Sequence, residues 1–359
     1  MNNDLLRKLR IEHPIIQAPM AGGPSTPRLA AAVSNAGGLG SLGCAYLTPD
    51  AIAKEYEETR RLTDRPFGIN LFAGGYHRQL DRDPQPILEL LAPIHAELGI
   101  PRAAVPDVPP DPFPAQVETV LRLRPEVFSF TFGIPSVEVL RELRSAGIVT
   151  IGTATTATEA RMLDDAGVDA IAAQGAEAGA HRGTFAGTFA ESMVPMLDLV
   201  RQIASTTKTP VIACGGIMNG ADIARALAAG AQAVQLGTAF LGCPEAGTGA
   251  AYREALARAT GDDTVITRAY SGRAARGIRN TFIDLVAERD ERILPFPIQN
   301  SLTRPMRAAA AKALRAGYLS LWAGTGVAQL RAMPAAELVA TLMEELVMHY
   351  RTIDTYEAS

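Results

Sequence analysis

At 359 residues the chain can bury a large core, as two or three domains or as one barrel with an insertion. Hydrophobic residues make up 47% and charged residues 20%, which excludes a disordered chain. A net charge of -4, from 34 basic and 38 acidic residues, leaves no electrostatic footprint for nucleic acid or an anionic membrane surface.

The first strand is expected at 14–19, followed by a tight turn at 20–23. An Ala-rich helix at 27–36 stops at Gly37-Gly38, and a second strand follows at 39–43. Thr48-Pro49-Asp50 places a cap and a proline where a helix opens, and that helix runs towards Leu62. The third strand, 67–72, is apolar apart from the single amide of Asn70. Residues 73–114 then break the pattern with a helix near 86–98 and prolines at 101, 106, 109, 110, 112 and 114. So long an excursion suits a lid or substrate-site segment over the barrel mouth, with an inert proline-rich loop as the equal alternative.

Alternation resumes with helices at 116–123, 136–146, 157–166, 193–204 and 220–229. Strands are expected at 127–132, 148–153, 168–173, 210–216 and 233–240. Eight short apolar strands separated by helices imply right-handed crossovers and a parallel sheet. Eight is the number that closes a (β/α)8 TIM barrel, and a doubly wound sheet is the alternative.

Beyond Phe240 the pattern predicts a helix at 244–259, a strand or extended arm at 262–267, a basic turn at 271–279, and helices at 280–289 and 303–316. A glycine loop, 319–326, holds the only tryptophan, Trp322, and an amphipathic helix at 335–350 closes the wall. The expected organisation is a barrel of residues 1–240 and 318–359. A small, mainly helical cap, 241–317, is inserted before the C-terminal helix.

The most distinctive stretch is Gln174-Gly175-Ala176-Glu177-Ala178-Gly179-Ala180-His181-Arg182-Gly183. Its glycines and alanines leave the backbone bare around one imidazole, so a flat ligand can lie close to the main chain beside a group suited to acid–base work. A bland surface histidine is the other reading of that loop, and Arg182 could support an anionic substrate, though by default it reads as a solvated or ion-paired residue. Strands seven and eight end in Gly215-Gly216 and in Gln235-Leu236-Gly237-Thr238. Exposed backbone N–H groups, the Thr238 hydroxyl and a helix dipole can bind a phosphate there without a lysine.

No GxGxxG with a downstream acid and no GxxxxGK[ST] is present. His13, His77, His95 and His349 are scattered, so no metal site is expected. The amides at strand ends are Gln17, Asn70, Gln174 and Gln235, and amides suit a flavin edge, whose polarity alternates. Singly, each reads more readily as a satisfied core amide. Cys44, Cys214 and Cys243 lack zinc spacing and are too few for a disulfide framework, which fits a reducing cytoplasm. No signal peptide or transmembrane run is evident, so a soluble cytoplasmic protein is expected.

Gln17-Ala18-Pro19-Met20, the 174–183 run, Gly215-Gly216 and 235–238 together resemble the class I nitronate monooxygenase family, formerly 2-nitropropane dioxygenases, over about residues 14–322. The resemblance implies a TIM barrel binding FMN non-covalently, with contacts at Ala18, Pro19, Met20, Asn70, Gln174, Gly179, Gly215, Gly216, Gln235, Leu236, Gly237 and Thr238. It implies His181 as the catalytic base. Two positions depart from the family pattern: Ala180 stands where a second glycine is usual, and Thr325 where glutamine is frequent. The activity implied is oxidation of an alkyl nitronate by O2 to a carbonyl compound and nitrite, a detoxifying oxidative denitrification. His181 would act either as base towards a neutral nitroalkane or as an imidazolium holding the nitro group. An NAD(P)H-dependent quinone or enoyl reductase on the same scaffold is the runner-up, and a flavin-free sugar-phosphate lyase or isomerase the third reading. Expected partners are a small nitronate and O2, with neither nucleic acid nor membrane; a homodimer is left open.

Overall fold

The computed structural model describes residues 3–76, 79–80, 82–107, 110–287 and 289–357; His77 and Pro109 lie outside them. Eight strands are parallel: β1 (Ile15–Gln17), β2 (Gly40–Gly43), β3 (Phe67–Phe72), β4 (Val127–Thr131), β5 (Val149–Ala154), β6 (Ala170–Gln174), β8 (Val211–Cys214) and β9 (Ala233–Leu236). Three more, β7 (Ala180–His181), β10 (Thr264–Thr267) and β11 (Ala275–Ile278), form an antiparallel sheet in the order β10-β11-β7.

The parallel strands run β1-β9-β8-β6-β5-β4-β3-β2. The two ends meet at a parallel bridge between Ile16 and Leu39, where Gln17 N–H donates to the Leu39 carbonyl at 2.9 Å and Leu39 N–H to that of Ile15 at 2.9 Å. The result is a nearly closed eight-stranded TIM-type barrel. Its strands are short and almost continuously buried, as expected where side chains and helices cover both faces.

Local chemistry sets the helices. Thr26, Thr48, Ser136, Thr156 and Asn219 each accept a backbone N–H of the first turn, and Pro27 and Pro49 occupy first-turn positions where no N–H is needed. The helix Asp4–Leu9 plugs the bottom of the barrel, packing Leu5 and Leu9 with Ile16, Val127, Ile151 and Ile212. The helix Ala335–Glu357 packs against Gly220–Ala228 and Pro27–Asn35 and completes the wall. Gly220 permits the approach, since a Cβ there would lie 2.3 Å from the Leu346 nitrogen.

A second core sits above the barrel. It joins Tyr270, Phe282, Leu294, Ile298, Leu302 and Met306 to Ile87, Leu91 and Ile94 of the helix Gln85–Glu97. No described residue between 73 and 114 lines the main cavity, and the helix Gln85–Glu97 contributes to the second core.

Three expectations are corrected. Residues 238–242 form a 3-10 helix instead of prolonging the eighth strand, because the chain turns at Gly237. Within the basic stretch 271–279, residues 275–278 form a strand, β11, which pairs with the neighbouring β10 and with the remote β7, and only 271–274 remain a turn. The helix expected at 244–259 covers only Ala250–Arg258.

Gln17 is fully buried and holds the closure of the barrel. Its Nε2 donates to Ser25 Oγ at 2.9 Å, and its Oε1 accepts Ser41 N–H at 2.8 Å. Gln17→Leu leaves the Ser41 N–H without its partner, and should cost about 1–3 kcal/mol in urea unfolding; a loss below about 0.5 kcal/mol would contradict this role.

Candidate active site

A cavity of about 640 Å³ lies at the carboxyl ends of the barrel strands, within the range of about 300–1,000 Å³ usual for small-molecule sites. The thirteen residues that the family resemblance implies for the site all line it: Ala18, Pro19 and Met20 after β1, Asn70 on β3, Gln174 at the end of β6, Gly179 and His181, Gly215 and Gly216 after β8, and Gln235, Leu236, Gly237 and Thr238 at the end of β9.

The loops after β8 and β9 present bare backbone. Gly215 and Gly216 have φ of 117° and 71°, and a Cβ on Gly215 would lie 2.9 Å from the Ala178 nitrogen. The N–H groups of Gly215, Gly216 and Gly237 have no hydrogen-bond partner among the described residues. The Thr238 hydroxyl accepts Gly324 N–H at 2.9 Å and keeps its own proton to donate.

The amides divide by role. Asn70 donates to Ser129 Oγ at 2.9 Å, which turns its side chain along the cavity wall. Gln235 is half-buried and makes no side-chain hydrogen bond among the described residues. Gln174 is committed to the histidine loop: Nε2 donates to the His181 carbonyl at 2.9 Å and Oε1 accepts Gly183 N–H at 2.7 Å. Gln17 does not line the cavity, so its expected place among the site amides is corrected by its part in barrel closure.

Arg182 is neither solvated nor ion-paired as expected. It is buried, and its guanidinium donates to the carbonyls of Gly175 (2.6 Å), Gln174 (2.9 Å) and Ser192 (2.7 Å). Burial first, and then the charge of Arg276, lowers it to about 10, which leaves it cationic at neutral pH. Ala180 takes φ 64°, a left-handed backbone that glycine would adopt without strain. β7 pairs with β11 through Ala275 and Arg276 and carries His181 rigidly.

His181 packs near Phe132, Trp322 and Phe72, with ring centroids 5.9, 5.6 and 6.4 Å away, and Nε2 lies 2.8 Å from Ser271 Oγ. Its ring is open to the cavity and otherwise enclosed. Burial, reinforced by the charges of Arg273 and Arg307, pushes it down to about 3, so the imidazole is neutral. Tyr46, also lining the cavity, is pushed up to about 12 by burial, against the opposing influence of Arg307, Arg304 and Arg273. Arg307 is anchored to Asn300 through its carbonyl and its Oδ1, both at 2.8 Å. The outer end of the cavity thus combines a neutral base with cationic side chains.

Ser271, Tyr46, Arg304 and Arg307 escaped the sequence reading. The arginines at 273, 276 and 279 marked their neighbourhood, but no spacing connects residues 300–307 to the barrel mouth. Thr325 does not line the cavity; its N–H donates to the Glu177 carbonyl at 3.1 Å. Among the described residues no group of three or more His, Cys, Asp or Glu is placed to hold a metal ion, and no helix is long and apolar enough to cross a membrane.

A nearly closed parallel barrel with its cavity at the strand ends, glycine loops after the last two strands and an enclosed neutral histidine defines a TIM-barrel enzyme acting on small molecules. The chain belongs to the nitronate monooxygenase family: the family model "Nitronate monooxygenase" matches residues 3–345. A nitronate monooxygenase of Paraburkholderia phytofirmans is 46% identical over 95% of this chain and 94% of its own length. A probable nitronate monooxygenase of Staphylococcus haemolyticus is 37% identical, over 99% and 98%. Among solved structures, nitroalkane oxidase from Streptomyces ansochromogenes superimposes with a TM-score of 0.90 at 40% identity, covering 97% of this chain and 99% of that one. FabK from Thermotoga maritima gives 0.78 at 29% identity, covering 99% of each. The protein is therefore an oxidoreductase of the nitronate monooxygenase family.

Arg182→Met removes three hydrogen bonds at once and strands three carbonyls under the histidine loop. It should cost about 3 kcal/mol or more in urea unfolding. A loss below about 1 kcal/mol would contradict the bracing role.

Proposed function

We propose that this enzyme oxidises small alkyl nitronates with O2 to a carbonyl compound and nitrite, with FMN held in the main cavity. The observation that carries the reading is the pairing, in one cavity, of unpartnered backbone N–H groups at Gly215, Gly216 and Gly237 with a neutral His181. The free N–H groups and the Thr238 hydroxyl fit a phosphate. Asn70 and Gln235 fit the polar edge of a flavin ring, and the small or apolar residues Ala18, Pro19, Met20, Gly179 and Leu236 leave room for its flat face. Gln174 acts chiefly by holding His181 and Gly183 in place. When bound, FMN supplies one-electron oxidation of the nitronate and the reduction of oxygen.

The side chains then divide the work. A neutral imidazole can take the α-proton of a nitroalkane, whereas an imidazolium could only bind charge. Of the two roles open to His181, its depressed pKa disfavours a resting imidazolium and leaves the base, whose proton affinity the charge of a nitronate formed beside the ring would raise. Arg307 and Arg304 stand at the same end of the cavity to stabilise the negative charge of the nitronate, whether formed there or bound as such. Ser271 Oγ, fully buried, orients the ring through Nε2. Three free, buried cysteines support a reducing compartment, the cytoplasm. The division into a barrel (1–240, 318–359) and a cap (241–317) belongs to the same reading, supported by the second core.

The test is a visible spectrum of the purified protein, followed by a nitronate in a stirred oxygen electrode without NAD(P)H. Bound FMN with oxygen uptake and nitrite release is expected. FMN that ignores the nitronate and is bleached by NAD(P)H in the presence of a quinone would transfer the case to the reductase, and a protein that takes up no FMN would defeat both readings. His181→Asn should lower kcat/KM for a neutral nitroalkane by about 10²–10⁴ and for the nitronate by far less; equal losses would remove the base assignment.

A further inference from the structure

Behind His181 lies a second cavity of about 590 Å³, between β10, the helix Thr281–Ala287 and the loop at 184–189. His181, the last residue of β7, lines the main cavity, while Arg182, the residue after it, lines the second. The wall is apolar, built from Phe189, Ile266, Ile283, Val286 and Ile293. Its charge has one sign: Arg182, Arg268 and Arg273 line it, and no Asp or Glu does among the described residues.

Arg182 is engaged with backbone carbonyls. Arg273 is not. Its guanidinium lies 3.9 Å from the Phe132 ring centroid and 5.5 Å from that of Phe296, and its side chain makes no hydrogen bond or ion pair among the described residues. Gly75 makes room for it, since a Cβ there would fall 1.5 Å from Nη2. The rings hold the faces of the group but satisfy none of its N–H donors. A partly buried guanidinium that makes no hydrogen bond among the described residues is completed by an anion, and a carboxylate matches its fork.

We propose that this second cavity binds a small anionic amphiphile, a monocarboxylate with an alkyl tail of medium length. The carboxylate pairs with Arg273, and the tail lies along Ile266, Ile283 and Val286. A tail-free anion would leave the apolar wall uncovered, and a neutral alcohol would leave Arg273 without a partner. The cavity is separate from the main one, with Arg273 in the partition: it stacks on Phe132, which lines the main cavity beside His181.

The experiment is isothermal titration of the full-length protein, as purified, with octanoate, octan-1-ol and acetate. One saturable octanoate site is expected, with octan-1-ol and acetate each at least about tenfold weaker. Arg273→Gln should weaken octanoate at least about tenfold. Ala287→Trp, on an exposed helix position at the rim of the second cavity only, should do the same with an unchanged circular dichroism spectrum. Thr267→Trp, on the facing strand β10, is the second blocking variant should the first fail to fold. The proposal is overturned if the parent shows no saturable binding, if octan-1-ol binds as well as octanoate, or if octanoate binds the folded blocked variant unchanged, which would place it in the main cavity.

Discussion

The buried guanidinium of Arg182 and its three carbonyl acceptors are what the histidine loop depends on. Gly175, Gln174 and Ser192 belong to segments that glycine and alanine would otherwise leave pliable, and one side chain fastens all three. Gln174 adds two further bonds across the same turn, to the His181 carbonyl and the Gly183 N–H. A bare backbone next to a flat ligand and a fixed imidazole are opposing demands, because small residues permit approach but specify little. Here the demands are separated: the loop residues are small, and rigidity comes from Arg182, just after β7, and from Gln174 at the end of β6.

The same separation governs charge. A histidine on a solvated loop would be partly protonated near neutral pH. Enclosed by Phe132 and Trp322 and faced by Arg273 and Arg307, His181 stays neutral, so the positive charge needed to hold an anion sits on the arginines and the capacity to take a proton sits on the imidazole. The arginines come from the segment after the barrel and the histidine from β7. The two are brought together by the pairing of β7 with β11 and by the second core, which seats the helix Ile298–Lys312.

Much of the barrel was legible because its signals are local. β3 and the helix Ala157–Ala166 fall on the expected residues, one an apolar run ending at glycine-rich backbone, the other opened by the Thr156 cap and closed by Gly167. The Gly215-Gly216 pair after β8 and Gly237 after β9 were legible as cavity lining for the same reason. What was missed is non-local. A two-residue strand such as β7 has no periodicity, and β11 pairs with residues nearly a hundred positions away. Ser271 and Arg307 belong to no motif that links them to a barrel strand. Gln17 misled because an amide at a strand end looks the same whether it faces a ligand or, as here, satisfies the seam between β1 and β2. Arg182 misled because a cation in a polar loop is ordinarily solvated, and only the fold shows the carbonyls that surround it.

The claim that most of this rests on is the neutrality of His181 in the folded protein. The most direct measurement is a 15N NMR titration of the imidazoles in protein labelled at histidine, with His181→Asn supplying the assignment. The His181 ring nitrogens should keep the shifts of a neutral tautomer from about pH 8 down to about pH 5. A titration midpoint near the ordinary histidine value of about 6.5 would contradict it and return the residue to the role of an imidazolium anchor.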